Sequence, residues 1–224
     1  MPDVIVVCEG QTEREFCREL VAPELAVHGV MLAGTLVGKP QRKRGGIRDW
    51  HVYRSELVRL AKTRADLNLA VLVDFYAMPS SWPGRLEAST KRLPERGKHV
   101  EDALRLDLAG ELPLRFHPCV QLHEFEALLF VEPVLAMLSI AIGSGKAQPL
   151  AAERMSQIRA ECGGSVEAIN DHPETAPSKR ISQIIPGYDK VAWGVTAAKD
   201  ITLPVLRAGC PWLDRWIKTL IEIR

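Results

Sequence analysis

"VIVVCEGQTEREF", residues 4–16, carries four β-favouring apolar residues into Cys8, then presents Glu9 and Gly10 before a polar run with helical spacing begins. A short continuous apolar run bounded in this way reads as a strand buried on both faces. Phe16, Leu20, Val21 and Leu25 then recur at helical spacing across residues 13–28, which makes a β-α start. Thr12 with Glu15 three residues later fits a capping box, and Gly10 is expected to turn the chain tightly beneath Glu9. A carboxylate therefore closes a buried strand, and the same device recurs further along. "LNLAVLVD", residues 67–74, is again fully apolar and again ends on an acid, Asp74.

Between and beyond these strands the pattern continues. Residues 29–38, "GVMLAGTLVG", read as a second strand, and residues 38–50 read as a loop by their glycines, proline and charges. Residues 49–65 place Val52, Leu57, Leu60 and Ala61 on a helical face. Residues 75–97 form a Pro-, Ser- and Gly-rich exposed loop leading to a helix over residues 95–109. "LPLRFHPCVQL", residues 112–122, is a fourth strand, with Pro118 favouring an edge or a bulge. "HEFEALLF", residues 123–130, begins another helix. Alternating strands and helices with apolar strands imply an α/β fold: a four-stranded, mainly parallel sheet sandwiched by helices. The expected division is an α/β core over residues 1–140 and a helical C-terminal elaboration over 141–224 packing on it, or the two as a single domain.

The bulk numbers exclude several classes. With 46% hydrophobic and 25% charged residues and a formal net charge of +1, the chain reads as an ordinary globular protein with no global attraction for polyanions. Five scattered cysteines without a CxxC pair argue against a disulfide framework or a structural zinc site, and a cytoplasmic location is expected. No secretory signal is read at the N-terminus, and the most apolar window, residues 127–143, is broken by Glu132 and Pro133, so no membrane partner is expected.

In an open α/β sheet, ligands gather beyond the carboxyl ends of the strands. Glu9 and Asp74 stand there, and His123, Glu124 and Glu126 follow directly after the fourth strand. On a helix starting near His123, His123 and Glu126 share one face while Phe125, Leu128 and Leu129 face the core. Clustered carboxylates repel unless a cation lies between them, and a hard divalent ion, Mg²⁺ or Mn²⁺, is the expected solution. Such an ion lowers the pKa of bound water and neutralises charge developing on a phosphate. Each acid also has a plainer role: Glu9 favouring the positive end of the following helix, Asp74 capping a turn, Glu126 a first-turn helix acid and His123 a satisfied surface histidine.

"VIVVCEGQTEREF" resembles the opening of a TOPRIM domain, the α/β module of topoisomerases, primases and OLD-type nucleases. "LVDFYAMPSSWPG", "QLHEFEALLF", "PETAPSKR" and "GYDKVAWG" resemble more closely the blocks of a bacterial TOPRIM-like domain-of-unknown-function family, family 4276. The resemblance spans nearly the whole chain. It implies metal-dependent phosphoryl chemistry on nucleic acid, DNA or RNA, and a role beside an ATPase partner in defence against foreign DNA. It gives Glu9 the part of metal ligand or general acid/base and Asp74 that of the first aspartate of a DxD motif. The second aspartate is replaced by Tyr76, so Glu124 or Glu126 would have to supply the missing ligand, with His123 orienting a ligand or shuttling a proton.

Basic residues complete the expected surface. Lys39, Arg42, Lys43, Arg44 and Arg48 form a phosphate-binding finger or a solvated loop, and Arg180 adds to the nucleic-acid contacts. Lys179 or Lys190 would contact the scissile phosphate. Trp50, Tyr53, Trp82, Tyr188 and Trp193 interleave with these segments; most are expected in the core, and Trp82 is the one expected to be exposed for stacking on bases. The leading function is a metal-dependent nuclease. The competing ones are a non-catalytic module that docks an ATPase or nucleic acid, and a phosphatase or nucleotidyl transferase acting on smaller substrates.

Overall fold

Val4–Cys8 (β1) is entirely apolar because both of its faces are covered, and it lies at the centre of a four-stranded sheet of order β2-β1-β3-β4. A computed structural model supplies the fold and describes residues 1–37, 47–145, 150–169 and 174–223. β2 is Leu32–Leu36, β3 is Asn68–Asp74 and β4 is Cys119–Gln121, and every pairing is parallel. The register sets Cys8 beside Leu36 on one side and Leu72 on the other, and Asp74 beside Gln121. The sheet is thus wholly parallel, and all carboxyl ends emerge together.

The chain divides into two compact units, one of residues Met1–Gln121 with the chain from Arg215 onward, the other Leu122–Asp214. In the first, successive side chains of β1 point to opposite faces. Val7 joins a core with Tyr53, Leu57, Val71, Val73, Val100 and Leu104, which brings the helices Trp50–Ala61 and Leu93–Asp107 onto one face. Cys8 meets Cys17 at 4.0 Å on the other face, under the helical run that follows β1. That run is helical over Gln11–Phe16, π-helical over Cys17–Val21 and α-helical again over Ala22–Val27. Pro23 opens the last segment, and because proline lacks an N–H for an i−4 carbonyl, a wider turn ahead of it keeps the helix continuous.

Four local expectations are corrected. The helix starts at Gln11, two residues before the position read from the spacing, and its cap position, Gly10, makes no side-chain cap hydrogen bond. Thr12 is 2% exposed inside the first turn, so no Thr12–Glu15 capping box forms. Gly10 itself is extended, at φ −138°, and a Cβ there would lie 2.8 Å from Glu13 Oε2. Glycine is needed for the close approach of the Glu13 carboxylate and not for a left-handed turn. The fourth strand is shorter than its sequence run: Phe116 bridges Leu69, Pro118 interrupts, and the ladder resumes at Cys119. β4 is an edge strand, where a residue without a backbone N–H is tolerated.

Trp82 is buried, not exposed. Its ring packs against Trp50 and Tyr53 at centroid distances of 5.0 and 4.9 Å, and its Nε1 donates to Arg48 O at 2.7 Å. Ser81 Oγ donates to Asp49 Oδ1 close by, so the Pro- and Ser-rich loop is fastened to the residues ahead of the helix Trp50–Ala61.

The edge carries a second polar anchor. Glu101 is fully buried, accepts from Val120 N at 3.0 Å and from Arg215 at 2.9 Å. Trp216 Nε1 donates to His117 O. His117 Nε2 lies 3.0 Å from Asn68 Oδ1, and burial, with Arg105 adding to it, lowers the His117 pKa to about 4.

The second unit is helical. The 3-10 segment Phe125–Phe130 is buried at every position, and the helices Pro133–Ser144, Ala151–Glu161, Pro177–Ile184, Val195–Ile201 and Leu203–Gly209 enclose a core including Phe130, Ile140, Met155, Ile181 and Leu206. All five cysteines are free thiols. Among the described residues no helix is long and apolar enough to cross a membrane.

Two measurements check these packing statements. Trp82→Ala is expected to lower the urea-unfolding free energy by about 3–5 kcal/mol, whereas an exposed tryptophan would change it little. His117 is neutral in the fold and protonated sooner when unfolded, so its stabilisation is complete above about pH 6.5 and is lost as pH falls toward 4. Between those limits His117→Gln is expected to lose less stability than the parent, by about 3 kcal/mol.

Candidate carboxylate site

The strand ends bring Glu9 and Asp74 together. Glu9 N donates to Leu72 O at 3.0 Å, which extends the β1–β3 ladder one step past Cys8. Glu9 Oε2 in turn accepts from Asp74 N at 3.0 Å, so the carboxylate is fixed to the backbone of the neighbouring strand. Asp74 is 6% exposed, Glu9 is half-buried and Glu13, whose carboxylate lies over Gly10, is 5% exposed. Phe75 N donates to Gln121 O at 2.7 Å and carries the pairing with β4 past Asp74. The result is an acidic platform on a rigid edge.

The oxygen donors here suit a hard divalent ion. Mg²⁺ is commonly held by one or two carboxylates, with waters and substrate phosphate completing its octahedron. The chain offers one carboxylate at each of two neighbouring strand ends, Glu9 and Asp74. Among the described residues no three His, Cys, Asp or Glu side chains group as a metal site.

The other acids lie in the second unit, each engaged within it. Glu124 Oε2 accepts from Ser178 N at 2.9 Å, at the start of the helix Pro177–Ile184. A carboxylate there satisfies an amide that has no intrahelical partner and complements the helix dipole. Glu126 is fully buried and lies 3.5 Å from Lys190 Nζ. His123 is buried at 3% exposure with Nε2 3.0 Å from Glu167 O. Phe125, Leu128 and Leu129 are buried as expected, but His123 and Glu126 are equally so, because the 3-10 segment is enclosed on all sides.

"HEFEALLF", "PSKR" and "GYDKVAWG" thereby converge. Asp189 Oδ1 accepts from Val191 N and Ala192 N and caps the π-helical segment Lys190–Gly194. Burial, reinforced by Glu126, Asp189 and Glu124, pushes the Tyr188 phenol well above its ordinary range, so it stays neutral. A Cβ at Gly194 would lie 2.6 Å from Tyr188 Oη, which is why a glycine stands there. Tyr188 is the member of this cluster that sequence reading placed only among aromatics; its neighbours are set by long-range packing.

Lys179 is exposed, Arg180 Nε donates to Thr175 O at 2.8 Å, and Arg48 is half-buried. Lys39, Arg42, Lys43 and Arg44 lie outside the described residues.

A family model described as "Domain of unknown function (DUF4276)" matches residues 8–221, nearly the whole chain. No curated protein and no solved structure matches.

The cap from Glu124 is directly measurable. Glu124→Ala is expected to cost about 1 kcal/mol and to speed amide exchange in the helix Pro177–Ile184, with Ser178 most affected, while Glu124→Gln, which keeps an acceptor oxygen, recovers most of the protection.

Proposed function

The chain belongs to the family described as a domain of unknown function, DUF4276, and from that premise we propose that it is a Mg²⁺- or Mn²⁺-dependent nuclease acting on DNA or RNA phosphodiesters. The observation that carries the reading is the Glu9–Asp74 pair, two carboxylates at the carboxyl ends of adjacent parallel strands, one hydrogen-bonded to the backbone of the other. Its supporting pattern is the likeness of residues 4–16 to the opening of a TOPRIM domain, with Asp74 at the end of the third strand in the place of that domain's first aspartate. When bound, the cation would supply a nucleophilic water at neutral pH and offset charge on the phosphate.

The chain's own part is to hold and orient. Glu9 and Asp74 would bind the cation, and the Asp74 amide keeps one Glu9 oxygen directed along the sheet edge. Lys179 is exposed, and Lys190 lies beside Glu126. Glu124, Glu126 and His123 shape the second unit through their contacts with Ser178, Lys190 and Glu167. Replacing them tests any further share in the chemistry.

One observation favours a different reading. Tyr76 in place of a second acid weakens the case for two metals and suits a non-catalytic module that docks an ATPase or a nucleic acid. Metal-dependent nicking of a supercoiled plasmid and cleavage of RNA oligonucleotides separate the two, with free nucleotides as a further substrate arm. Glu9→Gln and Asp74→Asn are each expected to lower Mn²⁺-dependent cleavage by at least about a hundredfold while leaving the thermal midpoint near the parent's. Equal cleavage by parent and both variants would overturn the nuclease reading. Absence of cleavage and of Mn²⁺ binding, with stable capture of nucleic acid or an ATPase, would establish the module.

A further inference from the structure

Within the second unit, the helices Ala151–Glu161 and Pro177–Ile184 leave a cleft of about 350 Å³ between them. Ala151, Arg154 and Ile158 line it from the first helix at spacings of three and four, and Arg180, Gln183 and Ile184 from the second, so one face of each helix is turned to it. Leu150, just ahead of the first helix, completes the rim. Ala151 and Ile158 are buried and give the cleft an apolar wall, and none of its seven lining residues is an acid.

The charges in the cleft ask for an anion. Arg180 is half-buried and anchored by Nε, which donates to Thr175 O at 2.8 Å, while its two terminal nitrogens make no hydrogen bond among the described residues. Arg154 is held more loosely, with Nη1 3.3 Å from Gln157 Oε1 and 3.6 Å from Glu161 Oε1 at the exposed surface. Guanidiniums stay charged, so two of them lining one cleft repel each other until an anion comes between them. The first-turn amides of Ala151–Glu161 have no intrahelical acceptor and Leu150 brings no side-chain cap, so the positive end of that helix adds to the attraction at Ala151. Glu153 of the same turn does not line the cleft and accepts from Gln157 Nε2.

Size and lining decide what the anion brings with it. The cleft falls within the range of small-molecule sites, which combine apolar walls with a few placed polar groups. Leu150, Ile158 and Ile184 supply the wall, and the Gln183 amide can both donate and accept. A nucleobase, apolar on its face and polar at its edge, satisfies that combination, and its phosphate satisfies the arginines. We propose that the cleft binds a nucleotide unit, with Arg180 and Arg154 on the phosphate and the sugar and base against the apolar wall. The site draws only on residues of the second unit and needs no divalent ion, so it stands or falls without the reading of Glu9 and Asp74.

The test is isothermal calorimetry on the full chain in EDTA, with adenosine 5′-monophosphate, adenosine and a short 5′-phosphorylated DNA strand as probes. The monophosphate is expected to bind at least about tenfold more tightly than adenosine, with affinity falling as salt rises. Arg154→Gln and Arg180→Gln are each expected to weaken it about tenfold, whereas Glu9→Gln binds it as the parent does. If Arg180→Gln lowers the melting midpoint, Arg154→Gln, which alters an exposed side chain, carries the test. Equal affinity for monophosphate and adenosine, parent-like binding by the arginine variants, or no binding of any probe would overturn the site. Binding of the strand that is tighter than that of the monophosphate, and that Arg154→Gln also weakens, would assign the cleft to a nucleic-acid end; the reverse order of affinities would assign it to a free nucleotide.

Discussion

The hydrogen bond from Asp74 N to Glu9 Oε2 closes the upper end of the sheet. Below it, β1 and β3 pair in parallel from Val4 beside Asn68 to Cys8 beside Leu72, and the Glu9 amide adds one more step to Leu72 O. At that step the backbone ladder hands over to a side chain. A carboxylate accepting from a backbone amide is a charge-assisted bond, stronger than a neutral one and dependent on the acid staying ionised. The same group thus ends the structural ladder and begins the acidic platform. Gly10 lets the Glu13 carboxylate approach closely, and the helical run begins at Gln11.

Much of this was legible in the residues, because fully buried parallel strands must be apolar throughout. "VIVVC" and "NLAVLVD" admit little else, and an acid stands at the end of each, Glu9 just past β1 and Asp74 as the last residue of β3. The misread details are those in which a distant partner decides. Trp82 lies in a segment of turn-forming composition, yet Trp50, Tyr53 and the Arg48 carbonyl bury it; proline and serine nearby signal a loop, not the exposure of its largest side chain. Thr12 and Glu15 carry the letters of a capping box, but the Gly10 carbonyl already accepts from Arg14 N, and Thr12 is drawn inside the first turn.

The second unit shows the same limit from the other side. Its quoted blocks drew attention as a pattern in order, but their pairing is a matter of contact: Glu124 with Ser178, Glu126 with Lys190, His123 with the Glu167 carbonyl. Each joins residues more than forty positions apart, as Glu124 and Ser178 illustrate at a separation of 54. No local propensity encodes such a match. A buried acid such as Glu126 reads in sequence as a candidate for chemistry, and in the fold it has a lysine beside it; both readings follow from the cost of burying a charge alone.

The treatment of β4 carries a consequence for association between chains. An edge strand offers unpaired amides and carbonyls to any other strand that meets it. Here the Val120 amide is taken by the buried Glu101 carboxylate, the His117 carbonyl is taken by the Trp216 indole, and Pro118 has no amide to give. The side chains that fasten this edge also deny it to a stranger, so a polymer propagating by strand addition would find no row of vacant partners there. The anchor that completes the sheet is thereby its protection against becoming a template.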